Sequence, residues 1–405
     1  MSISRDIVYY AFIKGVGVLY WMLLIKLSAL HLNPEEFGYF SIAFSISTVV
    51  AILWTGWQSS SLLRFYHEDS DKLLLYKTLV NGLVRSAIWV SLGWLIVFAL
   101  VKLISTDVNF KIVLLAFPLS VAYGLHLFVV NMLRIKRDLK KILLLNIVQA
   151  LIVIGMFITL VDYYNWAAAV MALILAYSLS LFAARHKSSL IKSALTHLKN
   201  EKFKKKLMSY GLPVVSIGII SQLLSTSDLL ILKMYGYVEE VGIYSANYNI
   251  AEKSIFAILA IIVSAFVPII YKKSTLPDFN IRKEIRKINV FFLVIAIPFV
   301  VAIWFLAPQL SALFLEERYI SGGFIIPLVS VAGIFVGVAS FYSEVFTLAE
   351  KTRVLAKIYL AALIVNIALN LLFVKNFGMI AAVYSTVFSY LLLMIFIFFQ
   401  SRKYD

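Results

Sequence analysis

Twelve long apolar stretches follow one another along this chain, at about 7–30, 39–63, 81–104, 112–133, 142–161, 166–184, 207–232, 243–270, 288–307, 323–349, 358–374 and 380–400. Each comes close to the ~20 residues that a helix rising ~1.5 Å per residue needs to cross ~30 Å of hydrocarbon. The runs are continuous and lack the ten-residue alternation of barrel strands, so they predict helices. The expected fold is an all-α membrane protein of about twelve transmembrane helices, with both chain ends on one side of the bilayer.

Composition supports a lipid solvent. Hydrophobic residues make up 62% of the 405 and charged residues only 14%, against roughly 25% charged in soluble domains. The basic residues are sorted by side. Of 37 Lys and Arg, twenty-nine fall on the termini and even-numbered connections, five on odd-numbered ones, and Lys14, Lys26 and Lys253 inside spans. That bias places both termini in the cytoplasm. It also assigns the net charge of +16 to anionic headgroups rather than nucleic acid. The N-terminal stretch has no small-residue cleavage site and reads as a retained first helix. There is no cysteine and the five histidines show no ligand spacing, so no metal or other cofactor is indicated. No phosphate-binding loop for ATP is present, which leaves an ion, voltage or substrate gradient as the energy source.

An internal repeat organises the helices. NPEEFGYFSIAFSIS at 33–47 matches YVEEVGIYSANYNIA at 237–251, 204 residues later. Glu35 and Glu239, Glu36 and Glu240, Gly38 and Gly242, and Ser41 and Ser245 are identical pairs, while Phe40/Tyr244 and Phe44/Tyr248 are aromatic pairs. Six helices per copy preserve orientation, which predicts two six-helix bundles related by a parallel pseudo-twofold. The bundles are expected at 1–184 and 207–405, joined by a basic cytoplasmic linker at 185–206. In the motif, the glycine is expected to allow a tight re-entry, the acids to favour the helix start and the aromatic to sit at headgroup level. On that reading the motif turns the chain and touches no substrate.

Ionisable residues at membrane depth cost ~2.5–3.5 kcal/mol each and usually face protein or water. Lys14, Gly17 and Trp21 share one face of the first helix, and Gly218, Ser221, Ser225 and Asp228 one face of the seventh. Ser41, Ser45 and Thr48 on the second helix correspond to Ser245, Asn249 and Glu252 on the eighth. These stripes predict a polar cavity, with Lys14, Trp21, Ser45, Ser221, Asn249 and Lys253 as substrate-facing residues. Asp228, Glu252 and Glu344 are the candidates for ion coupling, and Arg64 and Arg85 for phosphate contacts on the cytoplasmic side. Each has a plainer reading. Asp228 lies near a span end and could snorkel, Lys253 could pair with a neighbouring acid, Arg64 and Arg85 could anchor to headgroups, and His126 could be a packed interior residue.

With NPEEFGYFSIAFS after the first helix and STSDLLILKMYGYVEEVGIYSANYNIAEK across the seventh and eighth, the chain resembles the polysaccharide flippases. These are the O-antigen and capsule repeat-unit translocases of the multidrug/oligosaccharidyl-lipid/polysaccharide superfamily. MLRIKRDLKK and LAEKTRVLAK look like the paired cytoplasmic turns of that family's two halves. The resemblance implies translocation of an undecaprenyl-diphosphate-linked oligosaccharide, such as a lipopolysaccharide precursor, to the outer leaflet of a bacterial inner membrane by alternating access. It implies Lys14 and Lys253 for the diphosphate, and Asp228 and Glu252 for a coupling proton or sodium ion. Anionic lipids and other polysaccharide-assembly membrane proteins are the implied partners. A multidrug or small-solute antiporter of the same architecture, with Trp21, Trp54 and Trp57 as pocket aromatics, stays open. So does a membrane glycosyltransferase or polymerase, for which the outer loop offers only Glu316, Glu317 and Arg318.

Overall fold

The computed structural model describes residues 3–66, 71–104, 107–180, 201–274 and 279–404, with side chains from Phe12 onward except at 104, 107, 108, 264, 265, 268, 269, 271 and 272. Among them lie eleven α-helices and a short 3-10 turn, and no strand. In chain order they are α1 (Ile3–His31), α2 (Pro34–Phe65), α3 (Lys72–Ile104), α4 (Asp107–Ile135), α5 (Leu139–Tyr164), α6 (Trp166–Ser178), α7 (Glu201–Met234), α8 (Val238–Lys273), α9 (Ile281–Phe314), the 3-10 turn (Glu317–Gly322), α10 (Ile325–Leu348) and α11 (Thr352–Ser401). Ten are long and apolar enough to cross a membrane. The last is two spans in one: Gly378, at φ 52 and ψ −136, breaks its 50 residues in the middle. Counting those two pieces and the shorter α6, the twelve expected helices are accounted for. Of the expected linker, residues 185–200 lie outside the described residues and 201–206 form the start of α7.

The repeat is written into the backbone. Three non-glycine residues adopt positive φ: Arg137, Asn165 and Glu350. Arg137 and Glu350 end α4 and α10 with matching hydrogen bonds. Arg137 N–H donates to Arg134 O and Asp138 N–H to Leu133 O, as Glu350 N–H does to Thr347 O and Lys351 N–H to Phe346 O. This is the left-handed closure by which helices satisfy their last carbonyls. Asn165, at φ 50 and ψ −129, divides α5 from α6 with nearly the geometry of Gly378. Both pairs are 213 residues apart (137 to 350, 165 to 378), and VDYYNWAAAV at 161–170 aligns with VKNFGMIAAV at 374–383 at that spacing. The offset therefore grows from 204 at the motif to 213 in the later helices.

One copy of the break uses glycine and the other does not. Asn165 makes no side-chain capping bond and holds a conformation that only glycine adopts without strain. Asn165→Gly is expected to stabilise the protein by about 1 kcal/mol, read as a raised thermal unfolding midpoint. Asn165→Val should lower it.

The EExG motif does more than turn the chain, which corrects the sequence reading. Gly38 and Gly242 lie inside α2 and α8 rather than in the turns, and neither has positive φ. A Cβ on Gly242 would sit 1.7 Å from the Pro34 carbonyl oxygen, and one on Gly38 would sit 2.9 Å from that of Val238. The two copies pack backbone to backbone, and glycine is required by that approach. Phe40 and Tyr244 are buried in the core. The acids have separate tasks. Glu36 closes a reciprocal capping box with Asn33, whereas Glu240 accepts the Met379 N–H at 2.6 Å and caps the helix restarted at Gly378.

By contact the chain divides differently from its sequence halves. One compact unit joins Met1–Gly38 to Leu223–Asp405, and the other is Tyr39–Gln222. In the first, the 3-10 turn holds the end of α1. Arg318 donates to the Ala29 and Leu30 carbonyls at 3.0 and 3.1 Å, and Tyr319 Oη donates to Leu32 O at 2.8 Å. These satisfy carbonyls that a helix end leaves open. In the second, Trp54 (4% exposed) and Trp57 (5%) are core residues, each pressed against a glycine, Gly124 and Gly82 respectively.

Candidate functional site

In the unit containing the C-terminal helices, α7, α8 and both pieces of α11 converge on Asp228. Its side chain is fully buried, so it does not snorkel to an interface. Oδ2 accepts from Tyr244 Oη at 2.6 Å and from Thr386 Oγ1, and Oδ1 accepts from Asn370 Nδ2 at 2.9 Å. Asn366 extends the network, with its Oδ1 accepting from Ser227 Oγ at 2.7 Å and from Asn370 Nδ2 at 3.2 Å.

Local structure explains why these groups meet. Asn366 and Asn370 are four residues apart and share one face of the first piece of α11. The break at Gly378, capped by Glu240, sets the course of the second piece, which supplies Thr386. Gly378 is needed twice over, for its positive φ and because a Cβ there would meet the Glu240 carboxylate at 2.2 Å.

The electrostatics are unusual for a structural core. None of the ion pairs among the described residues involves Asp228, and a carboxylate buried without a counter-charge costs several kcal/mol even after relaxation. Three hydrogen-bond donors on its oxygens stand in place of a counter-charge. Beside it, Asn370 Oδ1 is buried without a protein partner, so a water or an ion is owed to this place. One carboxylate with amide and hydroxyl oxygens suits a small hard cation, which takes oxygen ligands.

The repeat identifies the site as a departure from plain packing. Offsets of 204 and 213 map Asp228, Tyr244, Asn366, Asn370 and Thr386 onto Leu24, Phe40, Val153, Phe157 and Leu173. All five counterparts are apolar and buried. The same core positions that are hydrocarbon in one half carry a charge and its polar shell in the other.

The remaining sequence candidates are distributed as follows. Trp21, Glu252 and Lys253 come together: Lys253 Nζ lies 2.5 Å from Glu252 Oε2 and 5.2 Å from the centre of the Trp21 ring. Lys14 is half-buried on α1. Asn249 donates to Ser245 O at 2.7 Å, within its own helix. Glu344 is half-buried on α10, within electrostatic reach of Tyr359. In the 39–222 unit, Ser45 is buried, Ser221 half-buried, and Arg64 and Arg85 are exposed near the end of α2 and within α3. His126 is packed there as expected, bonded to Ser180 Oγ at 2.7 Å and Gln149 Nε2 at 3.0 Å and stacked on Tyr123.

Sequence reasoning named Asp228 but missed Tyr244 as its partner, and missed Asn366, Asn370 and Thr386 altogether. The signal existed: two asparagines one turn apart inside an apolar span, opposite Val153 and Phe157 once the later offset is used. Three residues offered for other functions are committed to structure. Trp54 and Trp57 fill the core, and Arg318 caps α1.

The sequence matches, over residues 3–274, the family described as polysaccharide biosynthesis protein. The chain belongs to that family. No curated protein sequence matches it significantly. Solved transporters share the fold of this polysaccharide biosynthesis family member from end to end. A Vibrio cholerae MATE transporter superposes with a TM-score of 0.66 at 16% identity, covering 99% of this chain and 97% of its own. A MOP superfamily transporter from Pyrococcus furiosus gives 0.60 at 15% identity, covering 100% and 96%. The eukaryotic MATE transporter AtDTX14 gives 0.58 at 16%, covering 99% and 98%. The protein is therefore a multi-pass membrane protein with the MATE transporter fold.

Proposed function

We propose that this protein is a flippase that carries an undecaprenyl-diphosphate-linked oligosaccharide from the inner to the outer leaflet of a bacterial cytoplasmic membrane. Its termini lie in the cytoplasm and its two six-helix halves alternate in access. A sodium ion or proton taken at Asp228 drives the cycle. Membership of a polysaccharide biosynthesis family supports the substrate class, and the transporter fold supports movement rather than catalysis.

The observation that carries ion coupling is the buried Asp228 carboxylate, held by three donors, beside an unpartnered amide oxygen, at positions the other half fills with hydrocarbon. A cation entering this network neutralises the charge and a cation leaving restores it. The cost of the buried charge thus becomes a free-energy difference between loaded and empty states. Lys14 and Lys253 are the proposed contacts for the diphosphate, with Arg64 and Arg85 on the basic-loop side, and anionic lipids and other assembly proteins are the proposed neighbours.

Depletion of the protein in its native cell is expected to make lipid-linked saccharide accumulate on the inner leaflet several-fold while surface polysaccharide falls. Accessibility of the saccharide to a membrane-impermeant glycosidase in oriented vesicles measures it. Unchanged sidedness together with hypersensitivity to organic cations would instead favour drug export.

A further inference from the structure

Glu252 and Lys253 form an ion pair that helix geometry does not favour. Neighbouring residues on a helix do not face one another, so both side chains must curl to bring Nζ and Oε2 to 2.5 Å and give up rotamer freedom to do so. The pair keeps 24% exposure at Lys253 and 30% at Glu252, a setting in which ion pairs contribute little net stability. The Trp21 ring lies 5.2 Å from the ammonium and attracts it through its π face. A lysine held between an indole and a weakly bound carboxylate, still partly open, has the features of an anion site already occupied by an internal anion.

The pair is also connected to Asp228. Tyr244, Tyr248 and Glu252 recur every four residues along one face of α8. Tyr244 donates to Asp228 and stacks on Tyr248 at 5.7 Å between ring centres. Tyr248 and Tyr390 face one another, and both lie within electrostatic reach of Asp228 and of Glu252. Two acids thus flank one pair of buried phenols.

We propose that Glu252 is an internal competitor for the phosphate or diphosphate ester that Lys253 takes, and that its displacement is sensed at Asp228 through Tyr248 and Tyr390. The inference rests on the lipid-linked substrate reading and adds the device that ties substrate to ion. A diphosphate brings more charge and more acceptor oxygens than a carboxylate, so it displaces Glu252 from the ammonium. The released carboxylate changes the field at the phenols and, through them, at Asp228. Coupling of this kind is reciprocal: a cation at Asp228 shifts phosphate affinity by the factor that phosphate shifts cation affinity.

The full-length protein in nanodiscs, titrated with geranyl diphosphate with and without sodium, tests the proposal. Glu252→Gln is expected to tighten binding roughly fivefold, the weight of one part-exposed ion pair, and to weaken the dependence on sodium. Tyr248→Phe, which keeps the ring and removes the hydroxyl, should shrink the sodium-dependent shift of Kd. Binding to Glu252→Gln no tighter than to the wild type overturns the competitor, and an undiminished sodium shift in Tyr248→Phe overturns the relay. Inorganic diphosphate is the second probe. Glu252→Gln should tighten both probes alike, since both carry the competing group. Wild-type affinity for inorganic diphosphate equal to that for geranyl diphosphate would keep the exchange but remove the lipid-linked reading, whereas tighter binding of geranyl diphosphate supports both.

Discussion

Asp228→Asn is expected to reduce translocation of lipid-linked saccharide by roughly 100-fold, near the upper end of what coupling between two sites supplies, while leaving the protein folded. The amide is nearly isosteric with the carboxylate. Its oxygen still accepts from Tyr244 and Thr386, and its nitrogen is accommodated when the Asn370 amide turns its unpartnered Oδ1 toward it. The buried charge disappears, so the thermal midpoint should hold or rise. Asp228→Leu copies the counterpart residue Leu24 but strands the Tyr244 and Thr386 hydroxyls without their acceptor. It should cost about 2–3 kcal/mol or more of stability as well as function, since buried groups left unpaired cost ~1–3 kcal/mol each. Translocation in proteoliposomes under an imposed sodium or proton gradient, read beside thermal unfolding, separates the two effects. Wild-type, gradient-dependent translocation by Asp228→Asn would remove the assignment.

The second large effect falls on stability. Gly242→Ala places a methyl group 1.7 Å from the Pro34 carbonyl oxygen and 2.5 Å from its carbon. Both are backbone atoms, so no rotamer change relieves the overlap and the starts of α2 and α8 must separate. Ordinary overpacking costs ~1–3 kcal/mol because side chains yield. Here the cost should exceed about 4 kcal/mol, read as loss of monodisperse folded protein in detergent. Gly38→Ala meets its nearest atom at 2.9 Å and should cost only about 1–2 kcal/mol. Equal tolerance of the two substitutions would show that the helices do not cross here as described. Glu240 lies beside this crossing and caps the helix that carries Thr386, so damage at Gly242 should also reach the Asp228 network.

The legibility of the site differed residue by residue. Asp228 was visible because an acid inside an apolar span is costly wherever it points, and Glu252 and Lys253 were visible for the same reason. Their pairing was not, because adjacent residues on a helix are expected to diverge. Asn366, Asn370 and Thr386 are neutral and common in membrane helices, so each alone carried no signal. They became informative only against Val153, Phe157 and Leu173, and that alignment needed the offset of 213 shown by the backbone at Arg137, Asn165, Glu350 and Gly378. The motif glycines were read as turn residues because a sequence shows the neighbours of a glycine along the chain and not those across it.

By itself the sequence determined the solvent, the number of spans and the existence of a repeat, since hydrocarbon content, span length and recurring residues are properties of the chain as a line. The backbone must satisfy its own hydrogen bonds in lipid, and that forces such a line into helices. Tertiary structure alone decided that α1 packs with the C-terminal helices, that the two EExG helix starts pack backbone to backbone, and that four helical segments meet at one carboxylate. Those outcomes depend on which surfaces approach within van der Waals and hydrogen-bonding distance, and periodicity along a single helix sets only which face is offered, never what arrives to meet it.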